Sequence, residues 1–159
     1  MLVNQGKTQG ETKMEILQAT MNELEELTML FDEYRQFYGI ESDISSTKAF
    51  LQLRLALKES VIFIALVDGK TVGFTQLYPT FSSIALQRAY ILNDIYVMED
   101  ARGLGVGKAL MEKVFHYCEQ QYARYVTLQT ATDNVNARKL YEKLEMKQDE
   151  YCNYVKYFM

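Results

Sequence analysis

The segment from Asp100 to Val114, DARGLGVGKALMEKV, carries the densest set of residues in the chain that could do chemistry. It holds three glycines at alternate positions, Gly103, Gly105 and Gly107, and an amphipathic helical pattern follows at once. Successive backbone N–H groups in a turn that leads into a helix form an anion site, because the first helical N–H groups have no partner within the helix. Glycine lets an anion approach the backbone and tolerates positive φ. The residues predict a phosphate cradle; a turn that needs glycine only for close packing is the alternative.

Two well-known nucleotide loops do not fit this segment. A Walker A loop needs Ser or Thr after its Gly-Lys pair, and here Gly107-Lys108 is followed by Ala109. A dinucleotide fingerprint read from Gly103 has Lys108 where its third glycine should be. The loop also lies two-thirds along the chain, after an antiparallel hairpin pattern rather than in an early βαβ unit. A nucleotide- or dinucleotide-binding domain is therefore disfavoured.

The elements around the loop can be predicted from periodicity and turn residues. Asp68-Gly69 between two apolar runs is typical of a hairpin turn, and the serine-rich stretch 79–87 is expected to be a loop. The predicted strands cover residues 14–19, the two apolar runs within 61–78, and residues 89–97, 125–130 and 151–158.

Four helices are predicted from apolar spacing and capping residues. The first is expected to be capped by Asn22 with Glu25 as the capping-box partner, and the second by Ser45 or Ser46. The third follows the glycine loop to about residue 121, and the fourth runs from an Asp133 or Asn134 cap to about residue 144. The order β-α-α-β-β-β-α-β-α-β favours a mixed α/β or α+β fold over a doubly wound one.

Composition limits the classes of function. The 159 residues suit one domain, expected over residues 13–159 after a flexible polar extension at 1–12. A net charge of -4 without a basic run makes nucleic acid a poor partner. Two cysteines without ligand spacing indicate neither a metal site nor a disulfide framework. With neither a membrane-length apolar run nor a signal-peptide pattern, we expect a cytoplasmic protein that has no membrane partner.

At the glycine loop the sequence resembles the GCN5-related N-acetyltransferases. Their phosphate loop has the pattern Arg/Gln-x-x-Gly-x-Gly/Ala, and residues 102–107, RGLGVG, match it without interruption. Residues 133–146, DNVNARKLYEKLEM, resemble the second motif of the family, Asn-x-x-Ala-x-x-x-Tyr-x-x-x-Gly-Phe. The chain departs from that motif at Glu145-Met146, where Glu145 is expected either to adopt a left-handed conformation, at a cost of about 1 kcal/mol, or to end the helix differently.

The resemblance implies a fold, a donor and a set of donor-binding residues. The fold is a central mixed sheet of about six to seven strands flanked by about four helices, and the donor is acetyl-CoA without a metal. The pyrophosphate is expected on the loop N–H groups, and the pantetheine arm on the backbone of a strand that splays from its neighbour. The residues expected to bind coenzyme A are Ile95, Tyr96, Val97, Arg102, Gly103, Leu104, Gly105, Val106, Gly107, Lys108 and Asn134.

Two residues are candidates for proton transfer. Tyr141 matches the tyrosine that the family uses as general acid toward the leaving thiolate, although by spacing alone it could be a core aromatic on an amphipathic helix. Asp94 is a carboxylate within an apolar strand, where alternation places it on the face opposite Asn93 and Ile95. It is either the base that deprotonates the acceptor through water or a structural carboxylate that binds backbone donors.

The acceptor is expected to be a primary amine of a small molecule or peptide. About 0.04 % of an alkylammonium is neutral at pH 7, so its proton needs an acceptor. By position in the family, the first two helices and the loop before the central strand wall the acceptor cleft. The residues expected there are Tyr34, Tyr38, Tyr78, Phe81 and Ser82, together with Arg35 and Phe37.

Alternatives remain open for the protein as a whole. A coenzyme A-binding sensor or interaction module without catalysis would keep the loop and lack the acid. The last predicted strand could complete the sheet within one chain or across a homodimer. His116 is expected on the surface and Cys118 in the core, because only Cys118 lies on the apolar stripe of its helix.

Overall fold

A computed structural model describes residues 11–158, so residues 1–10 of the predicted flexible extension lie outside the described residues. Its described residues contain five strands and four α-helices, which confirms the mixed α/β class with fewer strands than the six to seven expected. The strands are β1 (Met14–Gln18), β2 (Val61–Val67), β3 (Lys70–Ser82), β4 (Gln87–Val97) and β5 (Val126–Leu128). The helices are α1 (Leu24–Phe37), α2 (Ile44–Ala56), α3 (Val106–Gln120) and α4 (Val135–Lys143).

The strands form one mixed sheet in the order β1-β2-β3-β4-β5. Neighbouring strands are antiparallel from β1 to β4, and β5 is parallel to β4. The predicted hairpin turn is confirmed, since Asp68 and Gly69 both have positive φ, 50° and 80°. Such a turn matches the twist of the strands it joins.

The two faces of the sheet pack on different helices. On one face Phe31 of α1 lies against Phe74 of β3, with 5.1 Å between ring centroids. On the other face Tyr117 of α3 contacts Phe63 of β2 at 5.5 Å and Tyr90 of β4 at 5.6 Å. Phe63 is paired with Thr75 of β3 and shares its face, and Phe74 lies on the opposite face because side chains alternate along a strand. The sheet therefore separates an α1–α2 side from an α3 side.

The helix caps differ from those predicted. Thr20 caps a short 3-10 turn that leads into α1, and Glu23 completes the capping box by accepting from the Thr20 N–H at 2.7 Å. Asp43 caps α2 by accepting from the Ser46 N–H at 2.9 Å. The expected caps at Asn22 and at Ser45 or Ser46 are wrong, because a 3-10 turn that begins at Met21 precedes α1 and because α2 already begins at Ile44.

Two predicted segments have a different conformation. Most of the stretch 79–87 belongs to the β3–β4 hairpin, and Pro79 pairs with Tyr90. The β2–β3 register begins at Val61 opposite Leu77, so on that side Pro79 interrupts no hydrogen-bond ladder. Residues 151–158, expected to be a strand, form no regular secondary structure in the described part of the chain.

The described residues form two compact units, one up to Leu128 and one from Gln129 onward. The first contains the whole sheet with α1, α2 and α3, and the second contains α4. No helix among residues 11–158 is long and apolar enough to cross a bilayer.

Candidate functional site

The glycine loop forms the turn between β4 and α3. Gly103 and Gly105 have φ of 81° and 83°, and Gly105 is the N-cap of α3. A Cβ on either glycine would meet no atom of residues 11–158 within 4 Å, so the described part of the chain leaves the space beside the turn open. The first turn of α3 has no acidic residue to oppose an anion. Unpaired N–H groups, the positive end of a helix dipole and open space beside the backbone together fit a phosphate group.

A glycine outside the loop, Gly73 of β3, allows α3 to approach the sheet. A Cβ at Gly73 of β3 would lie 2.9 Å from the Tyr96 carbonyl oxygen and 3.2 Å from Cγ1 of Val106. Val106 is the first residue of α3 and is buried. The missing side chain of Gly73 therefore lets the start of α3 and the end of β4 pack on β3, which fixes the position of the loop.

The last part of β4 has a backbone edge that β5 does not pair. The β4–β5 register covers only Tyr90, Ile91 and Leu92, whereas the β3–β4 register continues to Val97. Along Ile95, Tyr96 and Val97, the residues expected to bind the pantetheine arm, only the backbone groups that point away from β3 belong to this edge. Unpaired strand N–H and C=O groups at this position can pair with an extended amide-bearing ligand.

Arg102 joins the loop to α1. Its Nε donates to the Val97 carbonyl at 3.0 Å, and its guanidinium lies over the rings of Phe37 and Tyr96, at 5.5 Å and 5.9 Å from their centroids. Cation–π contacts of this kind stabilise by about 0.5–1 kcal/mol at exposed sites. The carbonyl of Val97 is therefore already bonded within the chain.

A β-bulge in β4 changes which of its side chains point toward α1. Gln76 is opposite Asp94 while Leu77 is opposite Leu92, so Asn93 is an extra residue in β4. Residues 90 and 96 would share a face on an unbroken strand. Instead Tyr90 contacts Tyr117 on the α3 side, and Tyr96 contacts Tyr34 of α1, with centroids 5.8 Å apart. The bulge thus turns Asp94 and Tyr96 toward α1.

Asp94 is surrounded by donors. It is 7 % exposed, and its carboxylate accepts from the Tyr34 hydroxyl at 2.9 Å and from Gln76 Nε2 at 2.8 Å. The Asn93 amide lies 3.1 Å from both carboxylate oxygens. The expectation that Asn93 lies on the opposite face is wrong, because the bulge brings its side chain to the carboxylate. Three side chains thus offset the cost of burying this charge.

Gln76 extends this network to β3. Its Nε2 lies 2.8 Å from Asp94 and 3.1 Å from the Tyr78 hydroxyl. Gln76 is 0 % exposed, and its Oε1 has no hydrogen-bond partner among the described residues. We call Tyr34, Gln76, Tyr78, Asn93 and Asp94 the bulge network.

The phenols of the network stay neutral. Burial raises the pKa of Tyr34, and the negative charge of Asp94 raises it further. Burial and Asp94 likewise raise the pKa of Tyr78. Each hydroxyl therefore keeps its proton and can donate a hydrogen bond near neutral pH.

Some of the residues predicted to wall the cleft for the acceptor amine lie together in the structure, and others lie apart. Tyr34 packs edge-on against Tyr38, with ring centroids 5.1 Å apart, and Tyr38 is 65 % exposed. Phe81 and Ser82 lie at the tip of the β3–β4 hairpin, where Phe81 is opposite Arg88. At about 3.3 Å per residue, the tip is well over 10 Å along β3 from Gln76. Arg35 bonds to Asp32 and Thr47 and ties α1 to α2.

The second unit contains Asn134 and Tyr141. Asn134 caps α4, and its side chain accepts from the Ala137 N–H at 3.2 Å. Of the two alternatives expected for Glu145, the structure has the left-handed conformation, with φ of 64°. Tyr141 lies in the last turn of α4.

Three residues of α3 that the sequence singles out are Lys108, His116 and Cys118. Lys108 lies 3.5 Å from Glu112, one turn along the helix, and both are exposed. His116 is exposed and Cys118 is buried, as expected, and burial raises the pKa of the Cys118 thiol to about 11. Within residues 11–158, no group of three or more His, Cys, Asp or Glu side chains is arranged to hold a metal ion.

Sequence reasoning missed Gly73, Gln76 and Asn93. The signal for Gln76 was a fully polar amide within the apolar run VGFTQLY, where a buried strand needs a reason to carry it. No signal indicated that Asn93 is the bulged residue, because a bulge depends on the register between two strands.

Comparisons with known proteins agree with this geometry. Residues 27–146 match the family model described as the acetyltransferase (GNAT) family. The chain is 44 % identical over 143 residues to an uncharacterized N-acetyltransferase, YhfO, of Bacillus subtilis, covering 87 % of this chain and 96 % of the relative.

Two solved structures are similar over almost the whole chain. A crystal structure of a probable acetyltransferase is 42 % identical with a TM-score of 0.87, covering 91 % of this chain and 98 % of the other. A ribosomal-protein-alanine N-acetyltransferase from Brucella melitensis biovar Abortus is 25 % identical with a TM-score of 0.77, covering 92 % of this chain and 100 % of the other.

Proposed function

The chain belongs to the GNAT family of N-acetyltransferases, and from that premise we propose that it moves an acetyl group from acetyl-CoA to a primary amine by direct attack. The observation that carries the proposal is the unpaired backbone edge of β4, which continues into a glycine loop at the start of a helix. An extended amide-bearing arm that ends in a pyrophosphate would engage both features.

The donor would be held mainly by backbone atoms. The N–H groups of residues 103–108 are proposed for the pyrophosphate, and the edge formed by Ile95, Tyr96 and Val97 for the arm. Acetyl-CoA supplies the activated acetyl group. A backbone N–H of the β4 edge would stabilise the negative charge that develops on the attacked carbonyl oxygen. Lys108 and Arg102 add positive charge near the loop, and Asn134 is a further proposed contact.

The bulge network offers a route for the proton of the amine. Because the Tyr34 hydroxyl donates to Asp94, its oxygen lone pairs remain available to accept from an amine N–H. A proton passed to the Tyr34 oxygen would be matched by the phenol proton passing to Asp94 Oδ1. Asp94 would thus receive the proton without touching the substrate, since donors already surround it.

Tyr141 is proposed as the general acid for the leaving thiolate. Support comes from its place in the Asn-x-x-Ala-x-x-x-Tyr motif, which residues 134–141 match. A phenol about 3 Å from the sulfur could donate its proton as the thioester bond breaks. The relative from Brucella melitensis acts on the alanine of a ribosomal protein, which supports an amine as the acceptor class here.

One experiment tests the proposal in two steps. Coenzyme A binding is measured by calorimetry, and free thiol release is then followed with acetyl-CoA and a panel of polyamines, amino acids, aminoglycosides and peptides. We expect both binding and turnover with at least one amine. Failure to bind would overturn the proposed donor site, and tight binding without turnover would favour a non-catalytic coenzyme A-binding module.

A further inference from the structure

The amide of Gln76 is hydrogen-bonded on one side only, which is unusual for a side chain without exposed surface. Its Nε2 is close to two acceptors, whereas its Oε1 is buried with no partner among the described residues. Leaving a buried acceptor unsatisfied is costly, and such groups in folded proteins call for an explanation. A role of the amide in orienting its neighbours accounts for this state.

The orientation of the Gln76 amide is determined by Asp94. The carboxylate is an acceptor only, so the amide atom 2.8 Å from it must be the donor, Nε2. Reversing the amide would bring its oxygen against the carboxylate. The second N–H of Nε2 then points to the Tyr78 hydroxyl at 3.1 Å, and Tyr78 accepts it.

Accepting this bond fixes the direction of the Tyr78 proton. A phenol oxygen that accepts from Gln76 must aim its own O–H elsewhere, and Tyr78 is only half-buried. Tyr34 is in the opposite state, because its O–H donates to Asp94 and its oxygen accepts from no donor among residues 11–158. The two hydroxyls are joined to the two oxygens of one carboxylate, directly in one case and through a single amide nitrogen in the other.

The network therefore presents one hydrogen-bond acceptor, the Tyr34 oxygen, and one donor, the Tyr78 hydroxyl, both linked to the carboxylate of Asp94. The Tyr34 oxygen suits an amine N–H, and the Tyr78 O–H suits an oxygen with lone pairs near that amine. An α-amino carbonyl group has this pair, since two carbon atoms separate its nitrogen from its carbonyl oxygen. An alkylamine or polyamine has the nitrogen without the oxygen.

We propose that the acceptor is an α-amino carbonyl compound, whose carbonyl or carboxylate oxygen accepts from Tyr78 while Gln76 is the positioning residue that aims this hydroxyl. The inference rests on the proposed function for the identity of the reaction. Free amino acids, amino acid amides and peptide N-termini share this chemistry, and the experiment separates them.

The test compares amines that differ only in the carbonyl group. L-alaninamide is paired with isopropylamine, in which a methyl group replaces the carboxamide, and L-alanine and L-alanyl-glycine are run beside them. Rates are expressed as kcat/KM per neutral amine, because a neighbouring carbonyl lowers the pKa of an ammonium group. We expect the carbonyl compounds to react about tenfold faster or more, since losing a partner for a site hydroxyl is costly.

Three variants identify the residues responsible. Tyr78→Phe is expected to bring the alaninamide-to-isopropylamine ratio toward one, and Gln76→Met is expected to do the same because the phenol is then free to turn. Tyr122→Phe makes the same chemical change at a tyrosine that is 84 % exposed and outside the network, and its ratio should equal that of the wild type. Thermal unfolding confirms that each variant is folded.

The outcomes separate the inference from the proposed function. Turnover with a ratio near one in the wild type, or an unchanged ratio in Tyr78→Phe, overturns the inference and leaves the proposed function intact. Turnover fastest with L-alanine assigns the site to free amino acids, and turnover fastest with L-alanyl-glycine assigns it to peptide N-termini; both support the shared chemistry.

If no amine reacts, the proposed function fails, and binding answers the remaining question. Calorimetry then compares alaninamide with isopropylamine on the protein saturated with coenzyme A. Equal or absent binding of the two amines overturns the inference, and tighter binding of alaninamide that Tyr78→Phe removes supports it.

Discussion

The glycine loop and the bulge network are two polar regions built in different ways. The loop presents backbone groups from one continuous segment, with Gly103 and Gly105 in conformations that favour glycine. The network assembles five side chains from α1, β3 and β4, and it depends on an extra residue in one strand. The role proposed for the loop is to bind a group common to a family, whereas the network can be altered one side chain at a time. A family can keep one donor while changing acceptors when its sites are divided in this way.

Replacing Tyr141 should have the largest effect. Tyr141→Phe removes only a hydroxyl, and if that hydroxyl protonates the leaving thiolate, kcat should fall about 100-fold or more. The affinity for coenzyme A should barely change, because the proposed donor site is made of backbone groups. Steady-state thiol release and calorimetry check the two quantities. An unchanged kcat would remove Tyr141 from the mechanism.

Asp94→Asn tests whether the network does chemistry or only holds its shape. The variant keeps the size of the side chain but replaces one carboxylate oxygen by an NH2 group, a donor that faces other donors. We therefore expect kcat/KM to fall about 10–100-fold, which corresponds to a loss of roughly 1–3 kcal/mol of transition-state stabilisation. If Asp94 receives the amine's proton, the acid limb of the pH–rate profile should also change. A wild-type profile at lower rate would leave Asp94 a structural role alone.

Gly105→Ala tests the backbone character of the loop. An alanine at φ of 83° is strained by about 1–2 kcal/mol, and relaxation of the turn should weaken coenzyme A binding about tenfold. Gly69→Ala is the matched control, since Gly69 has φ of 80° and open space around it but lies in the β2–β3 turn. Both variants should lose similar stability in urea unfolding. Equal affinities for coenzyme A would contradict the proposed role of the loop.

The smallest expected effect is on stability in alkali. The pKa of Tyr34 is raised by folding, so above about pH 10 the unfolded chain releases this proton first and stability is lost as the pH rises. The slope should be a fraction of the ~1.4 kcal/mol per pH unit that one proton is worth, because the phenol is only half-buried.

Urea unfolding of Tyr34→Phe at pH 8 and pH 11 isolates this contribution. The variant should lose less stability between the two pH values than the wild type does, whereas Tyr122→Phe should behave like the wild type. Identical losses in the wild type and Tyr34→Phe would show that the bulge network does not hold this phenol in its neutral form.

Much of the fold could be predicted from local sequence signals. The order of the elements up to α4 and the Asp68-Gly69 turn follow from the conformational preferences of a few neighbouring residues. The Asn134 cap and the left-handed Glu145 are each one of two alternatives that the sequence left open. The helix caps at Thr20 and Asp43 were missed because several adjacent side chains can cap, and tertiary packing decides where each helix begins.

The bulge network could not be predicted for a different reason. Strand alternation correctly marked Asp94 as a buried carboxylate that needs partners, yet it placed Asn93 on the wrong face. Which side chains reach Asp94 depends on the β3–β4 register, and Gln76 and Asp94 are far apart in sequence. Phe81 and Ser82 were expected beside Tyr78, but β3 continues through them to the hairpin tip.

The sequence by itself determined the glycine loop and the order of the elements up to α4, because the conformation of a glycine turn before a helix lies in the local backbone. The tertiary structure alone decided the bulge, the partners of Asp94 and the direction of the Tyr78 hydroxyl proton. These depend on how strands distant in sequence align, and a shift of one residue exchanges the faces of a strand.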